Sequence, residues 1–488
     1  MIPRRHRRRL VRGVVAVAAG AAAVAGSYAV VGDVPAFVAA PIANATVTLA
    51  PGVLVTFAIT VLGDLGSKLA YLAGLAATAV LFGVVIEAGR VAAVRAGRRL
   101  LAPGVVLVVV GAVAALLSGS AVSAAGAGIG AALVVTIAAL GSDTADAADD
   151  SRRAVLSGVA ALVVGALSLG GRRPSPERTE DRPVPDDVAA LLAEAEEKSL
   201  DVEGLEPLVS DRFYTVDIAS VSPNPTREDW SVRIHGAVAE EATVNFADIE
   251  AMEYDHRFAT LRCVGETLNG RKLDNALWTG VPLSKLLDSA DPQGEYVMLR
   301  ADDGYYEEFP VAALESGFLA VGMNGQPLPR AHGAPARALI PGHWGEINVK
   351  WLTEIEILDE PATGYWEKRG WHGTGPVNTV AKLWATNRLE DGRVEVAGPA
   401  YAGTRGVRTV EVSTDGGSTW TEADLSEPLP GDDVWRQWAH RYEPPAGRHE
   451  VVVRAVDGTG TLQPRKRADA YPSGPTGWVS KTVDPGSL

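Results

Sequence analysis

The chain has 488 residues, one cysteine and a net charge of −14. That length predicts two or three domains, and the acidic balance argues against a nucleic-acid partner. One cysteine excludes an intramolecular disulfide, which leaves Cys263 as a small buried hydrophobe, a reactive thiol or a metal ligand.

The first 12 residues carry six arginines, and an apolar run over 14–31 follows. A signal peptide is the competing reading, but further apolar runs follow at 69–86, 104–117, 121–140 and 154–169. They predict a bundle of about five transmembrane helices over residues 1–170, the 14-residue third run extending through Ala102 and Ser120. The N-terminal arginines, then Arg90, Arg95, Arg98 and Arg99, then Arg152 and Arg153, mark cytoplasmic faces. Five spans satisfy all three clusters and put the residues after 170 outside the cell membrane. The segment 37–62, with Pro41, Asn44 and Pro51, reads as interfacial or re-entrant. Ser151-Arg152-Arg153-Ala154-Val155-Leu156 has two readings, a cytoplasmic anchor for the fifth span or an internal twin-arginine signal.

The only histidine of this half is His6, outside every span, so no bis-histidine haem is predicted. The spans carry almost no charge, which argues against an ion pathway and for anchoring or partner docking. Residues 171–204 form a linker. Its first part is Pro-rich and charged, hence extended, and 186–199 reads as a short acidic amphipathic helix.

From 205 to 375 short strands and short helices mix in non-repeating order, an α+β arrangement. WSVRIHG, TLRCVG, EYVMLRA, ARALIPG and LTEIEIL read as strands, FADIEAM and PLSKLLDSA as helices. No dinucleotide fingerprint, P-loop or H-E-x-x-H is present, and His235, His256 and His372 lack metal-ligand spacing. Cys263 ends an apolar run and enters a turn at Val264-Gly265, a place from which a thiol faces a cleft more often than a core.

The segment Thr260-Leu261-Arg262-Cys263-Val264-Gly265, followed by Trp278-Thr279-Gly280-Val281-Pro282-Leu283, resembles the molybdenum-binding loop of the sulfite oxidase family of molybdopterin oxidoreductases. Three more segments match in the family's order: Asp211-Arg212-Phe213-Tyr214-Thr215-Val216-Asp217, His332-Gly333-Ala334-Pro335-Ala336-Arg337, and Asn348-Val349-Lys350-Trp351. The resemblance implies Cys263 as the one protein ligand to molybdenum. It implies Asp211, Phe213, Tyr214, Thr215, Val216, Asp217, His332, Arg337, Asn348, Val349 and Lys350 as pterin contacts. An arginine fork and a lysine point charge suit the cofactor's anionic tail. Sulfite oxidases hold their anionic substrate with arginines and a tyrosine, where this chain has Val216, Leu268 and Trp371. Arg369 and aromatics of the segment 364–371 are expected near the site mouth, and Arg369 and Trp371 are the candidate substrate-facing residues.

Residues 376–488 are strand-rich, with turn signals at Asp415-Gly416-Gly417 and Asp457-Gly458. They predict an immunoglobulin-like β-sandwich without a cysteine pair, and Val410-Glu411-Val412-Ser413 with Asp415-Gly416-Gly417 resembles the family's dimerisation domain. The whole is expected to be a multi-domain, multi-pass membrane protein with an exterior molybdopterin domain. Its expected work is two-electron oxygen-atom transfer on a small sulfur or nitrogen oxo-compound. A sulfoxide reductase fed by a membrane carrier is the alternative, and a non-catalytic surface binding protein the third reading. Neither a haem attachment motif nor an iron–sulfur cysteine set is present, so a separate electron-transfer protein or quinone-linked carrier is implied.

Overall fold

The computed structural model describes residues 4–97, 101–140 and 183–488. The fifth apolar run, Arg98, Arg99, the Arg152–Arg153 pair and the first part of the linker lie outside the described residues. The chain divides into two compact units. One holds the N-terminal helices with Asp217–Asn224, and the other holds the C-terminal residues with Gly52–Val61.

The helical unit contains α1 (Arg4–Val31) and α2 (Ala40–Thr48). After α3 (Gly52–Phe57), which belongs to the other unit, come α4 (Asp64–Arg95), α5 (Ala102–Ser118) and α6 (Ala121–Leu140). Among the described residues, three stretches are long and apolar enough to cross a membrane: Arg12–Val31, Leu65–Arg95 and Ala121–Ala139. The third apolar run gives a 17-residue helix, because Pro103 starts it and Gly119, at φ 64, ends it in the left-handed region. The segment expected to be interfacial or re-entrant breaks into two helices, Ala40–Thr48 and Gly52–Leu62. Small residues set the packing. A Cβ at Gly26 of α1 would overlap the Gly126 carbonyl of α6, and one turn away Ser27 and Ser123 share a 2.7 Å hydrogen bond. The Asn44 side chain of α2 accepts from the Ser220 and Val221 amides at 2.8 and 3.1 Å, fastening Asp217–Asn224 to the helices.

The second unit begins with two sheets. The first runs Ala242–Asn245, Ser231–Gly236, Leu352–Leu358, Tyr296–Ala301, Tyr306–Pro310. Its Ser231–Gly236 and Leu352–Leu358 strands are parallel, the other pairs antiparallel. The second runs Asp255–Arg262, Leu273–Pro282, Phe318–Met323, Gln326–Pro327, with Arg337–Leu339 on Phe318–Met323. Short helices at Phe246–Glu250, Leu283–Leu287 and Val311–Glu315 bury Ile249, Leu286 and Leu314 against the first sheet. All seven predicted strands and helices of this region are present, within a few residues at their ends.

Two further sheets follow. One runs Val380–Ala381, Val394–Tyr401, Arg436–Tyr442, Asp424–Leu425; the other runs Thr421–Glu422, Val407–Ser413, His449–Asp457, Val479–Val483. Val396 and Trp438 of one meet Val412 and Val453 of the other in a single core. That core also takes Phe258 and Leu277 from the preceding sheets and Trp344 from the loop before the turn Gly345–Ile347. Truncating a buried tryptophan of this kind costs about 3–5 kcal/mol. The linker helix Asp186–Lys198 joins the same core through Val188 and Ala195.

Candidate active site

The strand Asp255–Arg262 ends where its pairing does. Arg262 opposite Leu273 closes the ladder, and Cys263 is the first loop residue, its amide bonded to Lys272 O at 3.0 Å. The thiol is half-buried. Burial pushes it up to about 11, while Lys272 and the Gly265 amide pull the other way. A buried triad anchors the loop behind it. Arg262 Nε donates to Glu266 Oε1 at 2.8 Å, and Lys382 Nζ donates to both Glu266 oxygens at 2.6 Å. Lys382 Nζ also reaches Gly270 O at 2.9 Å.

Beside the thiol, a Cβ at Gly265 would lie 2.7 Å from Ile59 Cγ2, 3.7 Å from Trp371 Cη2 and 3.9 Å from Cys263 Sγ. Trp371 thus lies on the same side of Gly265 as the sulfur, within reach of the loop that carries it. Ile59 was not expected: it comes from Gly52–Val61, and only its apolar character was readable. Trp371 is buried, packed edge-on against Tyr471 at 5.3 Å. Arg369 takes another place. It lies 3.6 Å over the Tyr365 ring, donates to Tyr365 O at 2.8 Å, and packs by its stem against Gly52.

The segments expected to hold the pterin converge on Phe213 and Tyr214. Phe213 stacks on Tyr214 and meets Trp278 and His332 edge-on at 5.4 and 5.6 Å. The Tyr214 amide donates to Asp274 Oδ2 at 2.7 Å. Its hydroxyl is held well above the usual range by burial first, then by Cys263 and Asp274, with Arg337 opposing. Tyr214 therefore lies in the fields of both the thiol and the guanidinium.

Arg337 is buried, 5.4 Å over the Trp278 ring, and donates to His332 O at 3.2 Å and Asn348 O at 2.9 Å. Its Nε has no hydrogen-bond partner among the described residues, and desolvation lowers it to about 10. Burial and Arg337 lower His332 to about 4, so its ring is neutral. Burial alone lowers Lys350 to about 7; its Nζ donates to Ala331 O at 3.0 Å. Gly333, at φ 107, lets these pieces meet: a Cβ there would lie 2.9 Å from Lys350 Cβ and 3.1 Å from Arg337 Cβ.

Other expected contacts sit differently. The Asn348 side chain is engaged by Ile340 N at 2.7 Å and Trp344 O at 2.9 Å. Val349 is in the core, with its backbone bonded to Ile347 and Ala338. Both position Lys350. Asp211, Thr215 and Val216 are exposed, and Asp217 opens the stretch assigned to the helical unit. Leu268 is buried in the shared core.

The family described as "Oxidoreductase molybdopterin binding domain" matches residues 219–366, and "Mo-co oxidoreductase dimerisation domain" matches 377–471. Mitochondrial sulfite oxidase of Mus musculus is 36% identical over 172 residues, 30% of this chain and 32% of that protein. The chain thus spans about a third of that relative. The uncharacterized oxidoreductase YuiH of Bacillus subtilis is 30% identical over 150 residues, 30% of this chain and 74% of YuiH. Among solved structures, the sulfane dehydrogenase SoxCD of Paracoccus pantotrophus superposes with a TM-score of 0.47 at 19% identity, covering 65% of this chain and 96% of that one.

Proposed function

The chain belongs to the sulfite oxidase family of molybdopterin oxidoreductases, and on that premise we propose that it works on a small sulfur or nitrogen oxo-compound. The carrying observation is a half-buried thiol at a strand end together with a buried guanidinium that lies 5.4 Å over Trp278 of the paired strand, its Nε without a hydrogen-bond partner among the described residues. Those residues fit a pterin-held metal. Cys263 would ligate molybdenum, Arg337 and Lys350 would hold the anionic tail, and the neutral His332 ring would pack at the pterin with Phe213. When bound, the group supplies two-electron oxygen-atom transfer. Lys272 and the Gly265 amide stabilise the thiolate that a metal requires.

The ground beside the sulfur is formed by Trp371 and Ile59, and Arg369 is turned onto Tyr365. This supports a weakly charged substrate and gives weight to a second reading, reduction of a sulfoxide. We read 205–375 as the cofactor domain and 376–488 as an immunoglobulin-like dimerisation domain through which two copies pair. Residues 1–170 are read as a membrane anchor and 171–204 as its linker, with the catalytic part outside the cell. A separate electron carrier, protein or quinone-linked, completes the cycle. Two assays on purified full-length protein test this: sulfite with ferricyanide, and methionine sulfoxide with a viologen donor. Turnover in neither, with a full complement of molybdenum, would overturn the sulfur reading of the substrate class, and failure with nitrate and a viologen donor as well would overturn the class. Absence of molybdenum would overturn the reading as a whole.

A further inference from the structure

Glu307, Glu346 and Glu367 each bring a carboxylate oxygen within 4.8 Å of the other two. They come from three separate elements: the strand Tyr306–Pro310 and the short turns Gly345–Ile347 and Glu367–Arg369. Glu307 is fully buried and Glu346 is 7% exposed. Five of the six oxygens, including both of Glu346, meet no N–H or hydroxyl donor among the described residues, and the one hydrogen bond inside the group is between the Glu307 and Glu367 carboxyls. The sixth, Glu307 Oε2, accepts from Tyr305 OH at 3.0 Å and Trp366 N at 3.4 Å. Buried acceptors are nearly always satisfied, and a buried carboxylate without a partner is costly. Two glycines keep the space open. A Cβ at Gly364 would overlap the Glu307 and Glu367 carboxylates, and one at Gly373 would overlap Glu346.

We propose that Glu307, Glu346 and Glu367 form a binding site for a hard divalent cation of calcium size. The donors are all carboxylate oxygens, the set that such ions select. The three oxygens lie within 4.8 Å of one another in a largely buried cluster, and a cage built of protein carboxylates suits calcium, because magnesium dehydrates reluctantly and usually keeps several waters. Protons are the competitor. Burial first, then the neighbouring carboxylates, raise Glu346 to about 8 and Glu307 to about 11. Cation affinity therefore rises with pH. The ion would tie together the turn leading into Asn348–Lys350, the turn leading into Trp371, and the strand after Tyr305. It would thus set the wall of the site without touching the metal ligand.

The test uses full-length protein stripped of divalent ions with a chelator at pH 8. Terbium, a luminescent substitute for calcium, should give a saturable signal at one ion per chain, sensitised by Trp366 and Tyr305 and displaced by calcium. Calcium should raise the melting temperature, with magnesium at least tenfold weaker in concentration. Glu346→Gln and Glu367→Gln, both near-isosteric, should each weaken terbium binding at least tenfold. The proposal is overturned if the unmutated protein shows neither a saturable signal nor a calcium-dependent melting shift. It is equally overturned if both variants bind terbium as the parent does. These readouts are independent of molybdenum content and turnover, so the function can fail while the cation site stands, and the reverse.

Discussion

Glu266→Gln should destabilise the second unit far more than Lys382→Met, although both break the same cluster. Arg262 and Lys382 are fully buried and Glu266 is 3% exposed, so the triad holds two cations around one anion. The glutamine variant leaves both cations unneutralised in the interior. Breaking a buried pair costs about 3–5 kcal/mol, and two stranded cations belong at the upper end. The methionine variant leaves Arg262 paired with Glu266 at 2.8 Å, and Glu266 Oε2 still accepts from the Lys272 amide at 3.2 Å. It loses charge-assisted hydrogen bonds alone, about 1.5–3 kcal/mol. At roughly 2–4 °C per kcal/mol, Glu266→Gln should lower the melting temperature by roughly 8–20 °C and Lys382→Met by roughly 3–12 °C, the smaller loss at any one conversion factor. All 11 tryptophans lie after residue 205, so tryptophan emission from the full-length protein reports this unit alone. Desolvation lowers Lys382 to about 8. Between about pH 8 and 10.4 the unfolded lysine binds more protons than the native one, so its contribution to stability rises with pH. The advantage of the parent over Lys382→Met should therefore grow across that window. Equal losses in the two variants, or a larger loss for methionine, would refute the charge argument.

Cys263→Ser should lower molybdenum content at least tenfold while leaving the melting temperature within about 2 °C, since the change is small and half-exposed; elemental analysis and tryptophan emission check it. Arg337→Lys should weaken cofactor retention by about 10–100-fold, because an ammonium cannot span His332 O and Asn348 O as the planar fork does. Fluorescence of the released, oxidised pterin measures that loss, and full retention would remove Arg337 from the tail site. Gly373→Ala forces a methyl into the Glu346 carboxylate and should cost about 1–3 kcal/mol. On a Glu346→Ala background the same change should be nearly neutral, and a double-mutant cycle that comes out additive would contradict the overlap.

The residues readable from sequence are those whose role is set by near neighbours in the chain. Alternation marks Ser231–Gly236 and Leu352–Leu358 as half-buried strands. The thiol at a strand end followed by a glycine turn marks Cys263 as a loop residue, and the four ordered segments carry the resemblance to the family. What stays hidden depends on topology. Glu266 and Lys382 are 116 residues apart, and each alone reads as an ordinary surface charge. Glu307, Glu346 and Glu367 meet because a strand edge and two short turns end at one place, and no spacing announces it. The linker helix shows the same limit: its stripe of Val188 and Ala195 states that one face is buried, but not that the shared core receives it. Gly52–Val61 is the strongest case. Hydropathy records that it avoids water, and Pro51 just before it that the chain bends there. Neither states which surface it joins. In the fold its Ile59 stands against the loop of the one cysteine, so an apolar run between two long helices becomes a wall of the candidate active site. Solvent preference is a local property of the chain, whereas the partner of a buried face is decided by everything else that folds around it.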